Sequence, residues 1–180
     1  MSDLYRTIRP CTNADAPRIA AIVNDAAQAY KGIIPPDRWH EPYMPLAQLE
    51  QEMADGVRFW GYERGGELVG VMGLQPRGDV DLIRHAYVST AHRRMGIGEA
   101  LLKHLQASTS KPILIGTWAA ATWAIRFYEK NGYRVLPREE TARVLRKYWN
   151  IPERQIETSV VLAKIRTAAT RKQGLLPLSE

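Results

Sequence analysis

Apolar residues recur along the chain with two different spacings, and these spacings alternate up to about residue 164. Ile97, Leu101, Leu102 and Leu105 fall on one face of a helix. Residues 67–75, by contrast, form an apolar run of strand length, separated from an earlier run by a glycine-rich turn. Helices are predicted around 15–26, 46–53, 97–105, 120–130 and 139–149, and strands at 5–9, 57–63, 67–75, 80–88, 113–117, 133–136 and 157–164.

The resulting order, β-α-α-β-β-β-α-β-α-β-α-β, predicts one mixed α/β domain. A chain of 180 residues with 45% hydrophobic content can bury one substantial core. We place this domain at residues 1–166 and interpret residues 167–180 as a frayed C-terminal tail.

Charge and cysteine content narrow the classes of function. The net charge is +6, but the sequence has no zinc-finger spacing and no helix dense in Lys and Arg, which disfavours nucleic-acid binding. The single cysteine, Cys11, excludes an internal disulfide, is typical of a reducing compartment and disfavours a cysteine metal site.

No apolar run reaches the roughly 20 residues that a bilayer requires, and the N-terminus lacks the apolar core of a secretory signal. We therefore expect a cytoplasmic protein with no membrane span and no metal.

The most informative segment is 86–102, where a predicted strand leads through a tight turn into a helix. Helix N-termini leave backbone N–H groups unpaired and carry partial positive charge, so they bind phosphates. Gly96 and Gly98 allow an anion to approach the backbone closely, and Arg93 and Arg94 add positive charge. A glycine-rich turn alone would be weak evidence, but here the strand, the basic pair, the glycines and the amphipathic helix occur together. We predict a phosphate-binding turn.

This segment resembles the Arg/Gln-x-x-Gly-x-Gly/Ala signature of the GCN5-related N-acetyltransferase (GNAT) superfamily, with Arg93, Gly96 and Gly98 at the matching positions. Downstream, residues 124–133 look like the superfamily's Ala-x-x-Phe-Tyr-x-x-x-Gly-Phe segment. The resemblance implies a mostly antiparallel, twisted sheet flanked by helices, and acetyl-CoA as cosubstrate. Many members carry Asn where this chain has Ala121, so Ala121 is not expected to contact the coenzyme.

The resemblance also implies where coenzyme A binds: amides of the turn hold its pyrophosphate, and the preceding strand contacts its pantetheine arm. The implied contact residues are Tyr87, Val88, Arg93, Arg94, Met95, Gly96, Ile97, Gly98 and Glu99.

Three residues are candidates for acid–base chemistry. Tyr128 is the candidate general acid, since a phenol can protonate a departing thiolate; the alternative is a core tyrosine. His85 and Asp81 are candidate bases, because a central strand is expected to be apolar and polar residues within it therefore suggest a specific role. Their alternative is a structural polar role. If strict alternation holds, Ile83, His85 and Tyr87 share one face, although the family often bulges this strand.

Aromatic residues concentrate in the irregular segment 30–45, which in this superfamily commonly walls the acceptor pocket. The implied acceptor-binding residues are Tyr30, Trp39, Tyr43 and Trp118; alternatively, these aromatics pin a long loop to the core.

The function that these features favour is direct transfer of the acetyl group of acetyl-CoA to the primary amine of a small molecule or peptide. Two alternatives remain open: a coenzyme A-binding sensor or interaction module without turnover, and a nucleic-acid-associated protein using residues 134–172. A homodimer is also left open, and the sequence does not identify the amine.

Overall fold

The computed structural model describes residues 5–164. The predicted tail at 167–180 lies outside the described residues. The strands are β1 Arg6–Pro10, β2 Arg58–Arg64, β3 Glu67–Arg77, β4 Val80–Val88, β5 Ile113–Trp118, β6 Tyr133–Val135 and β7 Ser159–Lys164. The helices are α1 Ala16–Ala27, α2 Leu46–Ala54, α3 Ile97–Ala107, α4 Thr122–Lys130, α5 Arg138–Tyr148 and α6 Glu153–Glu157.

The predicted order of elements is confirmed except near the C-terminal end of the described region. Glu157 was expected to begin the last strand, but it ends the short helix α6, and β7 begins at Ser159. Pro152 precedes α6 and accepts backbone hydrogen bonds from Gln155 and Ile156, which close one helical turn. A helix this short has too few residues for its apolar spacing to be recognised in the sequence.

The seven strands form one sheet in the order β1-β2-β3-β4-β5-β7-β6. Every neighbouring pair is antiparallel except β4 and β5, which run parallel. A parallel pair needs a long crossover connection, and α3 supplies it. The result is the mixed α/β domain that the sequence pattern predicted, with the mostly antiparallel sheet flanked by helices that the resemblance implied.

Helices cover both faces of the sheet. On one face, α3 and α4 pack against β3, β4 and β5, and the core there includes Met72, Ile83, Leu101 and Tyr128. On the other face, α1 and α2 pack against β2 and β3, and α5 and α6 pack against β4, β5 and β7. Within the described residues, no helix is long and apolar enough to cross a membrane.

Strands β4 and β5 separate after a short paired region. Their pairing runs from Asp81 with Ile113 to Ile83 with Ile115, and no pair follows. Beyond this point β4 continues to Val88 and β5 to Trp118 along diverging paths. The separation opens a gap in the middle of the sheet.

A β-bulge lies in β4 at the start of this gap. Arg84 is paired with Gly73 and Tyr87 with Val71, so two residues, His85 and Ala86, stand opposite Met72 alone. His85 has a φ of 52°, in the left-handed region. The bulge reverses the alternation of side chains, so Ile83 packs against α3 while Tyr87 packs against the α1 side. The expectation that Ile83, His85 and Tyr87 share a face is therefore corrected for Ile83.

Asp81 lies at the closed end of the β4–β5 pair. Its Oδ2 accepts a hydrogen bond from Thr109 at 2.5 Å, and Lys111 Nζ is 4.0 Å from Oδ1. Only 4% of the residue is exposed. Six residues of strand separate it from Tyr87, or roughly 20 Å. The geometry argues against Asp81 as a catalytic base and favours a structural role in holding β4 to the α3–β5 connection.

This placement predicts that Asp81→Asn destabilises the fold, by about 1–3 kcal/mol, because a buried charge-assisted hydrogen bond is weakened. Chemical denaturation measures the change. Asp79→Asn is the matched control, since Asp79 bonds Tyr148 at 2.8 Å on the surface and its loss should cost little. Equal effects of the two substitutions would contradict the structural role.

Candidate active site

The predicted glycine-containing turn after β4 is present, and α3 begins directly at its glycine. Gly96 is the N-cap of α3 with a φ of 74°, a conformation that glycine adopts without strain. The first helical hydrogen bond runs from the Ala100 N–H to the Gly96 carbonyl, at 3.0 Å. The amides of Ile97, Gly98 and Glu99 precede this bond and are the orphan donors of the helix start. They can hold a phosphate.

Gly98 has a packing role in addition to its place in the turn. A Cβ added here would lie 3.3 Å from Cζ of Phe127 and 3.9 Å from a methyl of Val88. The N-terminus of α3 therefore sits directly against α4 and the end of β4. This close approach connects the two sequence segments on which the resemblance to GNAT proteins was based.

The turn is tied to the C-terminal end of α1. The Asp25 carboxylate accepts hydrogen bonds from the Thr90 N–H at 2.6 Å and from the Thr90 hydroxyl at 2.9 Å. Arg93 Nη2 donates to the carbonyl of Ala26 at 3.4 Å. Arg94 is exposed and has a φ of 61°. Sequence reasoning missed Asp25, because nothing local indicates that a helix residue meets a turn 65 positions later.

A cleft of about 130 Å³ occupies the gap between β4 and β5. This β4–β5 cleft opens on the α1, α2 and α5 side of the sheet, where its walls include Tyr30, Tyr43, Arg84, His85, Tyr87 and Trp118. Three of the four predicted acceptor-binding residues line it. Trp39, the fourth, stacks on Tyr43 with ring centroids 5.6 Å apart and lines a separate groove outside the cleft.

Aromatic hydroxyls and an indole N–H form the polar part of this wall. Trp118 Nε1 donates to the Tyr43 hydroxyl at 3.1 Å. Burial raises the pKa of Tyr30 to about 12 and raises that of Tyr87 well above its usual range. These phenols therefore stay protonated at every physiological pH and can donate hydrogen bonds into the cleft.

His85 reaches the cleft from the bulge, and its Nε2 is hydrogen-bonded to the Glu52 carboxylate on α2. Arg84 Nη2 donates to the same Glu52 oxygen at 3.0 Å, and Arg84 Nη1 donates to Gln75 at 2.7 Å. Burial opposes the charge on Glu52, but the His85 hydrogen bond and the nearby positive charges outweigh it and lower its pKa to about 2. Glu52 is thus an anion that orients the imidazole and fixes which ring nitrogen faces the cleft.

Glu52 was not among the sequence candidates. It lies on a short helix among other polar residues of similar character, such as Gln48 and Glu50. Only the fold brings α2 next to the bulge, 33 residues later in the chain. No sequence pattern distinguishes it from its exposed neighbours.

Tyr128 lies on the opposite face of the sheet and is not among the residues that line the β4–β5 cleft. It belongs to the core of α3 and α4, with its ring 5.0 Å from Phe127 and 6.1 Å from Tyr133. Burial raises the pKa of Tyr128 above its usual range, and its proximity to Tyr30 adds to the rise. His85 lines the cleft, whereas Tyr128 is close to it only through its interaction with Tyr30, a residue of the cleft wall. Among residues 5–164, no three metal-ligating side chains lie close enough together to bind a metal ion.

Comparison with known proteins gives a consistent result. The family model of the acetyltransferase (GNAT) domain matches residues 55–135, which run from the end of α2 to β6. No curated protein sequence matches the chain.

Solved structures of acetyltransferases share the fold over most of the chain. A GNAT-family acetyltransferase from Staphylococcus aureus Mu50 is 18% identical, with a TM-score of 0.65 over 89% of this chain and 98% of that one. The PaiA N-acetyltransferase of Thermoplasma acidophilum, solved with coenzyme A, is 14% identical, with a TM-score of 0.63 over 89% and 99%. A ribosomal-protein-alanine N-acetyltransferase from Brucella melitensis is 26% identical, with a TM-score of 0.56 over 73% and 86%.

The turn geometry predicts that Gly96→Val weakens coenzyme A binding by more than about tenfold, because a β-branched residue is strained at this positive φ and the amides of the turn must shift. The fold should survive, since a Cβ at Gly96 meets no atom within 4 Å. Calorimetric titration of the folded variant measures the affinity. Gly78→Val is the matched control, with a φ of 62° and open space in the β3–β4 hairpin. Unchanged affinity in Gly96→Val would exclude the phosphate site.

The Glu52 network predicts a specific loss of stability in acid. The pKa of Glu52 is about 2 in the folded protein against an ordinary value of 4.5. Its contribution is therefore fully present above about pH 4.5 and is lost as the pH falls towards 2. The contribution is on the order of 3 kcal/mol at neutral pH. Unfolding free energies at several pH values should fall more steeply in the parent than in Glu52→Gln; parallel curves would contradict the assignment.

Proposed function

Because the chain carries a GNAT acetyltransferase domain, we propose that it transfers the acetyl group of acetyl-CoA to the primary amine of a small molecule. The observation that carries this proposal is the gap between β4 and β5. The N-terminus of α3, whose first amides are unpaired, follows the end of β4, and a small aromatic cleft occupies the gap. A cofactor and an acceptor bound at these two places would meet at the gap.

The reaction that we propose is direct. The amine nitrogen forms a bond to the acetyl carbonyl carbon, and the bond from that carbon to sulfur breaks. The nitrogen gives up a proton, which His85 accepts directly or through one water. The sulfur leaves as a thiolate that accepts a hydrogen bond from the Tyr128 hydroxyl. Solvent supplies the proton that the thiolate takes up, and His85 releases its own proton to solvent. The two substrates react while held together, so no enzyme nucleophile is needed.

The dimensions of the cleft favour a small acceptor over a folded protein. Its walls close over about 130 Å³, and the segment 30–45 and helix α6 meet across its rim. Arg38 donates to Gln155 at 3.2 Å and Asp37 pairs with Arg154 at 3.5 Å between these two elements. An exposed N-terminal residue of a peptide would have to enter between them.

An amine panel tests the proposal. Purified protein is mixed with acetyl-CoA and single amino acids, polyamines, aminoglycosides or short peptides, and released thiol is measured together with the mass of the product. We expect thiol release with at least one small amine. Tight coenzyme A binding without transfer to any amine would instead favour a sensor or interaction module, for which the absent Asn at Ala121 leaves room.

The role of Tyr128 predicts that Tyr128→Phe lowers the turnover number by roughly 100-fold or more, the usual cost of removing one hydrogen-bond donor to developing negative charge, with coenzyme A affinity nearly unchanged. The ring keeps its packing, so the melting temperature should change little. His85→Gln provides the contrast, because a base acts through its own titration and should alter the acidic limb of the pH–rate profile. Normal turnover in Tyr128→Phe at every pH would make Tyr128 a packing residue.

A further inference from the structure

Arg84 and His85 share one oxygen of the Glu52 carboxylate beside the β4–β5 cleft. Arg84 Nη2 donates to Glu52 Oε2 at 3.0 Å, and His85 Nε2 is hydrogen-bonded to the same oxygen. The three side chains are largely buried, with 15–21% of their surface exposed. Charges sheltered from water in this way interact much more strongly than charges on the surface. The protonation of His85 therefore depends on Arg84 as well as on Glu52.

Gln75 on β3 holds Arg84 in this position. Arg84 Nη1 donates to Gln75 Oε1 at 2.7 Å, and the Gln75 amide donates to the carbonyl of Asp55 at 3.2 Å, just after the end of α2. Gln75 is itself buried. Burial and the nearby Arg77 lower the pKa of Arg84 while Glu52 raises it, and an arginine stays protonated in either case. A permanent positive charge is thus fixed beside the imidazole by bonds on two sides.

Two charged side chains flank His85, Glu52 from α2 and Arg84 from β4. The other ionisable residues that line the cleft are three phenols, those of Tyr30, Tyr43 and Tyr87. Burial raises the pKa of each phenol, so they remain uncharged. From β2, Phe59 stacks on the imidazole with ring centroids 6.1 Å apart and brings no charge. One carboxylate and one guanidinium therefore determine the local field at the ring.

Glu52 and Arg84 act on His85 in opposite directions. A carboxylate beside an imidazole favours the imidazolium, because the negative charge stabilises the positive form. An imidazolium has no free lone pair and cannot accept a proton. Arg84 counters this effect, since it draws on the same carboxylate oxygen and its own charge disfavours a second positive charge nearby. A neutral imidazole whose Nε2 donates to Glu52 keeps Nδ1 as a proton acceptor.

We propose that Arg84 is a positioning residue that keeps His85 competent as a base, by sharing the Glu52 carboxylate and favouring the neutral imidazole over the imidazolium. This inference rests on the proposed acetyl transfer, in which His85 accepts a proton from the amine nitrogen. Arg84 itself neither gives nor takes a proton. It acts through Glu52 and the imidazole, and Gln75 secures its place.

Nuclear magnetic resonance of the imidazole, recorded as a function of pH on the protein without substrates, tests the inference. The chain has 4 histidines, so the His85 signal is assigned by its absence in His85→Gln. We expect the midpoint of the His85 titration to rise by about one pH unit or more in Arg84→Gln and Arg84→Met, because the positive charge is lost. Arg84→Lys should stay closer to the parent, since it keeps a point charge. Glu52→Gln should move the midpoint in the opposite direction.

Arg9→Gln is the matched control. Like Arg84, Arg9 joins side chains of two other segments, donating to Asp15 at 2.9 Å and to Glu63 at 2.8 Å, but it lies on β1, three strands away from β4. Its loss should lower the melting temperature without moving the His85 midpoint. Thermal unfolding verifies that each variant is folded, and Arg84→Met supplies the measurement if Arg84→Gln does not fold.

The outcomes separate this inference from the proposed function. An unchanged or lower His85 midpoint in the neutral Arg84 variants would overturn the role of Arg84, and so would shifts of Arg84→Gln and Glu52→Gln in the same direction. With an amine that supports thiol release, the acidic limb of kcat should move to higher pH together with the midpoint. Thiol release with an unmoved midpoint would leave the transfer standing and exclude the role of Arg84. A raised midpoint without thiol release from any amine would support the effect of Arg84 on the imidazole and count against the transfer.

Discussion

Strand β4 stops pairing with β5 after Ile83, and the rest of the site depends on that separation. A strand edge in the middle of a sheet leaves backbone donors and acceptors that must find partners elsewhere. Here the free edge of β4 faces a cleft instead of a neighbouring strand. The bulge at His85 turns the side chains that follow it, so Tyr87 faces the cleft side while Ile83 stays in the α3 core. One irregularity thus provides both an opening and its polar lining.

The opening is held between elements that belong to different parts of the chain. Asp81, bonded to Thr109, closes the paired end, while the bonds of Asp25 with Thr90 join α1 to the phosphate-binding turn. Helix α1 leads directly into the segment that carries Tyr30. A shift of this segment would therefore displace α1 and, through α1, the turn. Helix α1 thus connects the segment that carries Tyr30 to the turn before α3.

The sequence predicted most of the fold and the glycine-containing turn before α3, because both depend on local patterns. Apolar spacing defines α3, and the glycine at its start takes a φ that other residues avoid. The sequence could not place Glu52, because its position beside the cleft comes from contact with His85, 33 positions away. The sequence also could not assign the β4 side chains beyond the bulge to a face of the sheet, since a single inserted residue reverses the alternation of side chains between the two faces. Asp81 looked catalytic in the sequence because it stands in a central strand, yet its contacts are structural.

The raised pKa of Tyr128 limits how it can act. A buried phenol that holds its proton tightly is a weak acid towards a free thiolate, whose ordinary pKa is lower. It is, however, a good hydrogen-bond donor while negative charge is still developing on sulfur, since burial strengthens such a bond. Overall the reaction moves one proton from nitrogen to sulfur. In the proposed reaction, His85 oriented by Glu52 accepts the proton from nitrogen, and Tyr128 stabilises the charge that develops on sulfur. Binding of an acceptor would exclude water from the gap and strengthen both interactions together.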